Sequence, residues 1–523
     1  MRPQFFLLLS FCMAFASADM QYGCMIDAGS TGSRIYVYRW NARSFPQLPP
    51  PVTTPIEVVA YVLDPVQTRV DTPEGRAALP QLLDKARSKL AELGLSSADI
   101  SAIPLFLKAT AGMRILSEEA RATAMAAVRA ILSRGPFLFK SNWARTISGE
   151  EEGVAGWIAV NYNAGLLPGQ KSDSGGATIG ALDLGGASTQ ITFVPPPGVD
   201  MLSSQFDVRL TNAAQVSVYT HSFLYYGATE AIRRINELVV LSAGPAAAGT
   251  TIPHPCYLTG TPGGVNFTSL IAGRPVNFSG SSNWTACKEF VTPLMLRGAQ
   301  CLTDPKPSSW PQAAALGGIT AADWAALQAQ RQLGVAPLPV INPGAPGSSC
   351  SVAGQYQPPL VSPLDGAGQP LRFMAFSGYS YLYEGLKLGY TAPLSELRSA
   401  CTTLCNMDFA TAKAAYPEDR YFTDLCMRCV YAQTLLVEGY GLNTTLPGVV
   451  TVAPATPGVS WTLGSILYEA NSLPFSLIAA RDLTATVIAL AVTLGVLLLA
   501  AAVFGVYLWR RWPKASSMQR ALL

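Results

Sequence analysis

Histidine is nearly missing from this chain: His221 and His254 are the only two among 523 residues. That scarcity argues against a histidine-rich zinc site. Charge is sparse as well, at 13% of residues, and it forms no broad basic field of the kind nucleic-acid binders use. The formal net charge of +3 misleads, because Arg2, Arg510, Arg511, Lys514 and Arg520 sit at the ends. Between Asp19 and Trp509 there remain 31 basic and 33 acidic residues, so the body is slightly acidic. No Gly-x-x-x-x-Gly-Lys-Ser/Thr loop occurs, which excludes an ordinary P-loop enzyme, and no Gly-x-Ser-x-Gly elbow is present.

The chain does have two apolar ends. Arg2, an apolar run from Phe5 to Ala16 and Ala16-Ser17-Ala18 before Asp19 read as a secretory signal over 1–18. That run is far shorter than the roughly 20 residues a bilayer core requires. From Leu483 to Trp509 come 27 residues without a charge, followed by Arg510, Arg511 and Lys514. This pattern predicts one membrane-spanning helix over 483–509 with a cytoplasmic tail at 510–523. The rest then lies outside the cytosol, at the cell surface or in a Golgi or vacuolar lumen, with the cell membrane favoured. Four Asn-x-Ser/Thr sites, at Asn266, Asn277, Asn283 and Asn443, agree with that placement. Nine cysteines remain beyond the signal segment, and an oxidising compartment favours pairing most of them, with Cys24 the odd one out.

Two stretches share an α/β design. Tyr22–Trp40 reads as a strand running into Asp27-Ala28-Gly29-Ser30-Thr31-Gly32-Ser33-Arg34, then a second strand. Gly180–Val194 repeats it around Asp183-Leu184-Gly185-Gly186-Ala187-Ser188. Helices are predicted over 73–93 and 117–134, the second opening on a serine cap and two glutamates. Between them a short strand, Pro104–Lys108, leads into Ala109-Thr110-Ala111-Gly112-Met113-Arg114. Residues 303–349, rich in Pro, Ala and Gly, read as a loop insertion with one short helix at 321–333.

A Gly-rich turn lets backbone N–H groups converge on an anion, and this is how phosphates are cradled. A carboxylate beside a phosphate repels it unless a divalent cation lies between, so Asp27 and Asp183 are candidate holders of Ca²⁺ or Mg²⁺, directly or through water. One such turn is commonplace; two of matching design suggest half-sites facing each other across a cleft. The third element, Ser148-Gly149-Glu150-Glu151-Glu152-Gly153, admits two readings. It is either a helix start favoured by the macrodipole or the source of a carboxylate general base.

These residues, taken in order, resemble the ecto-nucleoside triphosphate diphosphohydrolases, or apyrases. Asp27–Arg34, Ala109–Arg114, Gly149–Tyr162, Ala181–Gln190 and Ser460-Trp461-Thr462-Leu463-Gly464 match the five signature regions of that family, with a further match at Tyr219–Leu224. The resemblance implies an α/β fold of two RNase H-like (actin-like) halves with the active site in the cleft between them. The first half falls at 19–147 with a return over 453–478, and the second at 148–452. It implies hydrolysis of nucleoside tri- and diphosphates by a water that Glu152 deprotonates and that Ser188 and Gln190 position. Asp27 and Asp183 would hold the hydrated metal. Ser30, Thr31, Gly32, Ser33, Arg34 and Thr110 would bind phosphate on one side, and Gly185, Gly186, Ala187 and Ser188 on the other. Tyr381 and Tyr421 fall near the positions that sandwich the base. A different class, a catalytically silent nucleotide- or glycan-binding receptor, would not need Glu152, Ser188 and Gln190 intact.

The chain departs from the family at three places. Gly32 stands where cell-surface animal members carry histidine, Tyr225 where a cysteine is usual, and Leu425 where many have a tyrosine. The resemblance pairs Cys256 with Cys287, Cys301 with Cys350 and Cys405 with Cys426. Cys401 and Cys429 lie four and three residues from one of these pairs, so a parallel bridge is expected if both segments are helical.

Overall fold

The computed structural model describes residues 20–41, 52–62, 73–167, 178–295, 351–472 and 476–511, apart from 197–198, 200, 202, 210–214, 245–250, 354, 359, 361–370, 418–420, 443–444 and 456–457. The signal segment, the insertion with its helix at 321–333, Cys301, Cys350, Asn443 and the tail beyond 511 lie outside the described residues.

Two mixed sheets organise the chain. The first has the order β3–β2–β1–β4–β5, from β1 (Met20–Gly29), β2 (Gly32–Asn41), β3 (Val52–Val62), β4 (Leu105–Ala109) and β5 (Ala144–Thr146). The second draws on β6 (Gly180–Leu184), β7 (Ser188–Phe193), β8 (Gln205–Arg209) and β9 (Gln215–Leu224). A small three-stranded sheet of β10 (Ile252–His254), β11 (Val265–Ser269) and β12 (Arg274–Gly280) and a hairpin of β13 (Ser351–Val352) and β14 (Gln355–Tyr356) follow. Then β15 (Phe373–Ser377) and β16 (Val450–Val452) complete the second sheet in the order β16–β15–β6–β7–β9–β8.

With β8 set aside, the second sheet repeats the first. Each has a central strand bearing an aspartate, two antiparallel strands on one side and two parallel strands on the other. The register repeats too: Asp27 lies opposite Arg34 across the β1–β2 hairpin, and Asp183 opposite Gln190 across β6–β7. These are the two RNase H-like halves of an actin-like α/β fold.

Helices α1 (Pro73–Glu92) and α2 (Glu118–Leu132) cover one face of the first sheet. The α1 side chains Leu79, Leu82, Leu83, Ala86 and Leu90 recur at helical spacing and are buried against Ile26, Ile35 and Leu107. Ser117 caps α2 by accepting from the Ala120 N–H at 3.2 Å. Helix α3 (Gly149–Asn163) crosses to the second half.

The second half carries the largest core, in which α4 (Ala228–Ala243), α5 (Trp284–Val291), α6 (Gly378–Gly385), α7 (Leu394–Cys405) and α8 (Leu425–Thr434) pack against the sheet and one another. Disulfides Cys256–Cys287, Cys401–Cys429 and Cys405–Cys426 pin α5 and join α7 to α8 twice. The helical spacing of the last two pairs makes this parallel bridging possible. Cys24 is free and buried in β1.

Helix α9 (Trp461–Ser472) then returns to pack on α3 and β1. A Cβ on Gly464 would come within 2.0 Å of the Ala155 carbonyl oxygen, so α3 and α9 meet backbone to backbone. Their interface buries Trp157, Ile158, Ile466 and Leu467 with Met25 and Phe106 of the first sheet and Val218 of the second. Tyr38 and Thr462 are 2.7 Å apart at their hydroxyls. Last comes α10 (Ser476–Arg511), which begins before the predicted span; its Val487–Arg511 portion is long and apolar enough to cross a membrane, with mean hydropathy 2.8.

Candidate active site

The two Gly-rich turns meet. A Cβ on Gly186 would lie 2.6 Å from Ser30 Oγ and 2.6 Å from Thr31 Cγ2, so only glycine allows the β6–β7 turn to touch the β1–β2 turn. Asp27 and Asp183, at matching positions before these turns, are 6% and 5% exposed. Arg34 Nη1 reaches Asp27 Oδ2 at 3.3 Å.

The glutamate triplet resolves into separate tasks at the start of α3, where Ser148 Oγ accepts from the Glu151 N–H at 3.0 Å. Glu151 turns to Arg145, whose Nη1 is 2.6 Å from its Oε2, and to Lys108 at 3.8 Å. Lys108, fully buried, also pairs with Glu469 of α9. Glu152 instead turns into the cleft and is 6% exposed. Its Oε2 accepts from Arg114 Nη2 at 2.8 Å and from Gln190 Nε2 at 3.2 Å. Arg114 Nη2 also donates to Ser188 Oγ at 2.9 Å, and Gln190 Nε2 lies 2.6 Å from Ser188 Oγ and 2.9 Å from Ser222 Oγ. Glu152, Ser188 and Gln190 thus share one hydrogen-bonded cluster, with Arg114 and Ser222 added to it.

Burial dominates the electrostatics. It pushes Asp27 up to about 6 against the opposing pull of Arg34. Asp183 is pushed up to about 8, first by burial and then by the negative charge of Glu152. Glu152 is likewise raised by burial, with the Arg114 guanidinium pulling the other way. Asp27 Oδ1 and Asp183 Oδ1 are buried without a hydrogen-bond partner. Paired, orphaned carboxylate oxygens in a low-dielectric cleft are the environment a divalent cation relieves. Among the described residues no group of three His, Cys, Asp or Glu gathers as closely as direct ligation of a bare ion requires. The two aspartates fit a divalent cation, held directly or through water.

The predicted phosphate-binding residues divide by position. Ser30, Thr31, Arg34, Thr110, Gly185 and Gly186 line the cleft beside Asp27, Asp183 and Glu152. Gly32, Ser33, Ala187 and Ser188 are buried and do not line it. Tyr381 and Tyr421 line the same cleft, with ring centroids 6.2 Å apart and planes at 70°. They form an edge-on corner, and Leu425 and Arg428 of α8 line the cleft with them. Sequence reasoning left Arg114 without a role although it ends the second signature region. Ser222 lies in the Tyr219–Leu224 match without a role there, and nothing in the local sequence singles out Lys108 or Arg428.

Two such halves closing on a carboxylate-lined cleft define an actin-like phosphohydrolase. The GDA1/CD39 (nucleoside phosphatase) family model matches residues 13–308 and 338–486, and the chain belongs to that family. It is similar to ectonucleoside triphosphate diphosphohydrolase 8 of Homo sapiens, 31% identical over 492 residues that cover 90% of this chain and 86% of the relative. Ectonucleoside triphosphate diphosphohydrolase 2 of Homo sapiens is 28% identical, covering 87% and 83%. Among solved structures, nucleoside triphosphate hydrolases from Neospora caninum share the fold, with TM-score 0.51 at 15% identity over 86% of this chain and 92% of that one. The protein is an apyrase-type hydrolase that acts on nucleotides.

Proposed function

We propose that the protein hydrolyses nucleoside tri- and diphosphates to monophosphate and phosphate, with a divalent cation, on the extracellular or lumenal side of the membrane that α10 spans. The observation that carries this reading is Glu152, buried in a cleft whose walls are the two touching Gly-rich turns, with Ser188 and Gln190 bonded around it.

Backbone amides of both turns, with Arg34 and Thr110, receive the phosphate chain and hold the terminal phosphorus in line with a water beside Glu152. Gln190 and Ser188 orient that water, and the Glu152 carboxylate takes its proton as it attacks. Burial raises the affinity of Glu152 for protons above that of an ordinary carboxylate, which strengthens it as a base. Arg114 holds Glu152 and Ser188 in register and pulls against the rise in proton affinity that burial causes. Ca²⁺ or Mg²⁺ associated with Asp27 and Asp183 supplies neutralisation of phosphate charge.

Phosphate release from ATP, ADP and AMP, with Ca²⁺ or Mg²⁺ and with chelator, tests the reading. Release from ATP and ADP alone, abolished by chelator, is expected. Release from AMP, or none from any nucleotide, would contradict it.

A further inference from the structure

We propose that Arg428 selects the nucleobase by reading ring carbonyls, so that 6-oxopurine and uracil nucleotides are preferred over adenine and cytosine nucleotides. This deepens the nucleotide reading above and rests on it. Arg428 lines the cleft with Tyr381 and Tyr421, and apart from Arg34, committed to Asp27, it is the one cation among the described lining residues. Its guanidinium lies over the Tyr421 ring, 4.3 Å from the centroid, and forms an ion pair with Asp424 at 3.6 Å. Those contacts fix the plane of the group without using up its donors, and Nε is buried with no hydrogen-bond partner.

A guanidinium donates five hydrogens and accepts none, so whatever faces it in a tight site must be an acceptor. The Tyr381–Tyr421 corner and Leu425 offer apolar surface for a base. The lining carboxylates, Asp27, Glu152 and Asp183, belong to β1, α3 and β6, beside the two Gly-rich turns. Asp424, the carboxylate beside Arg428, is taken up by their ion pair, so an exocyclic amine set against the guanidinium meets donor with donor. A 6-oxopurine presents O6 and N7 to the fork, and uracil presents O4; adenine and cytosine place an amino group at the same edge.

Inosine and adenosine diphosphates differ at that edge alone, apart from the ring proton beside it, and make the cleanest comparison. We expect kcat/KM for IDP to exceed that for ADP by roughly tenfold or more, as sites built on a charged hydrogen bond discriminate, with GDP and UDP on the favoured side and CDP on the other. Arg428→Ala should bring the IDP-to-ADP ratio to within about twofold. Arg428→Lys keeps a charge beside Asp424 but loses the planar fork, so an intermediate ratio is expected, and this variant carries the test if alanine is not tolerated. Losses are read against inorganic tripolyphosphate, which carries no base. An IDP-to-ADP ratio near one in the parent protein, or a ratio that survives Arg428→Ala, overturns the assignment while leaving nucleotide hydrolysis standing. Absence of phosphate release from every nucleotide overturns both.

Discussion

Replacing Glu152 by glutamine is the most direct perturbation, because it changes one proton and almost no volume. In the folded protein the Glu152 side chain is buried, 2.8 Å from Arg114 Nη2 and 3.2 Å from Gln190 Nε2. A glutamine carbonyl can accept from the same donors, and Arg114 keeps its bond to Ser188 at 2.9 Å. The cluster should therefore keep its shape. What is lost is the base, and general-base assistance is worth about 10²- to 10⁴-fold. At 1.36 kcal/mol per tenfold, that is a rise in the barrier of roughly 3–5 kcal/mol. Single-turnover phosphate release from ADP with saturating Ca²⁺ or Mg²⁺ reads this step, and calorimetric titration reads nucleotide affinity. Expected are a rate lowered at least a hundredfold and affinity within about threefold, since removing a charge beside the phosphates slightly favours binding. Glu152→Gln with more than about a tenth of the activity would refute the assignment of the base.

Two further perturbations probe other parts of the molecule. Gly464→Ala places a Cβ 2.0 Å from the Ala155 carbonyl oxygen, a backbone clash that side-chain rotation cannot relieve. It should cost about 3 kcal/mol or more and lower the thermal midpoint by several degrees, and an unchanged midpoint would show that α9 can slide. Asp27 and Asp183, pushed up to about 6 and about 8, bind protons in the folded state that an unfolded chain releases near the ordinary carboxylate value. Cation-free stability should therefore fall as pH rises from about 4 to 8. Added Ca²⁺ or Mg²⁺ should then raise the thermal midpoint more at pH 8 than at pH 5. Loss of that difference in the Asp27→Asn, Asp183→Asn double variant is the expected control, and a gain independent of pH would contradict it.

Much of the fold was legible because its signals are local. Asp27 and Asp183 each precede a turn whose glycines announce it, and the strands read on either side make the hairpins. The caps and apolar spacing of α1 and α2 place those helices to within two residues. The readings of Gly149–Gly153 as helix start and as base source proved compatible, since Ser148 caps the helix while Glu152 turns inward. Less legible were residues whose meaning depends on partners far along the chain. Lys108 reads as a strand-end charge until Glu469 arrives from 361 residues away. Arg428 carries no local signal, and it is the packing of α8 beside Tyr421 that brings it to the cleft. The edge-on set of Tyr381 and Tyr421 is a tertiary angle that no periodicity encodes.

The backbone contact between α3 and α9 also has a meaning in time. A chain emerging at about 5–20 residues per second puts roughly 15–60 s between the end of α3 and the start of α9. Through that interval Trp157 and Ile158 have no helix to cover them, and Tyr38 waits for a hydroxyl 424 residues downstream. The first half can form its sheet early but cannot be sealed until the segment leading into α10 has been made. Closure therefore waits for α9, and a nascent molecule stalled before α9 would present its seam between the halves to whatever chaperones attend it.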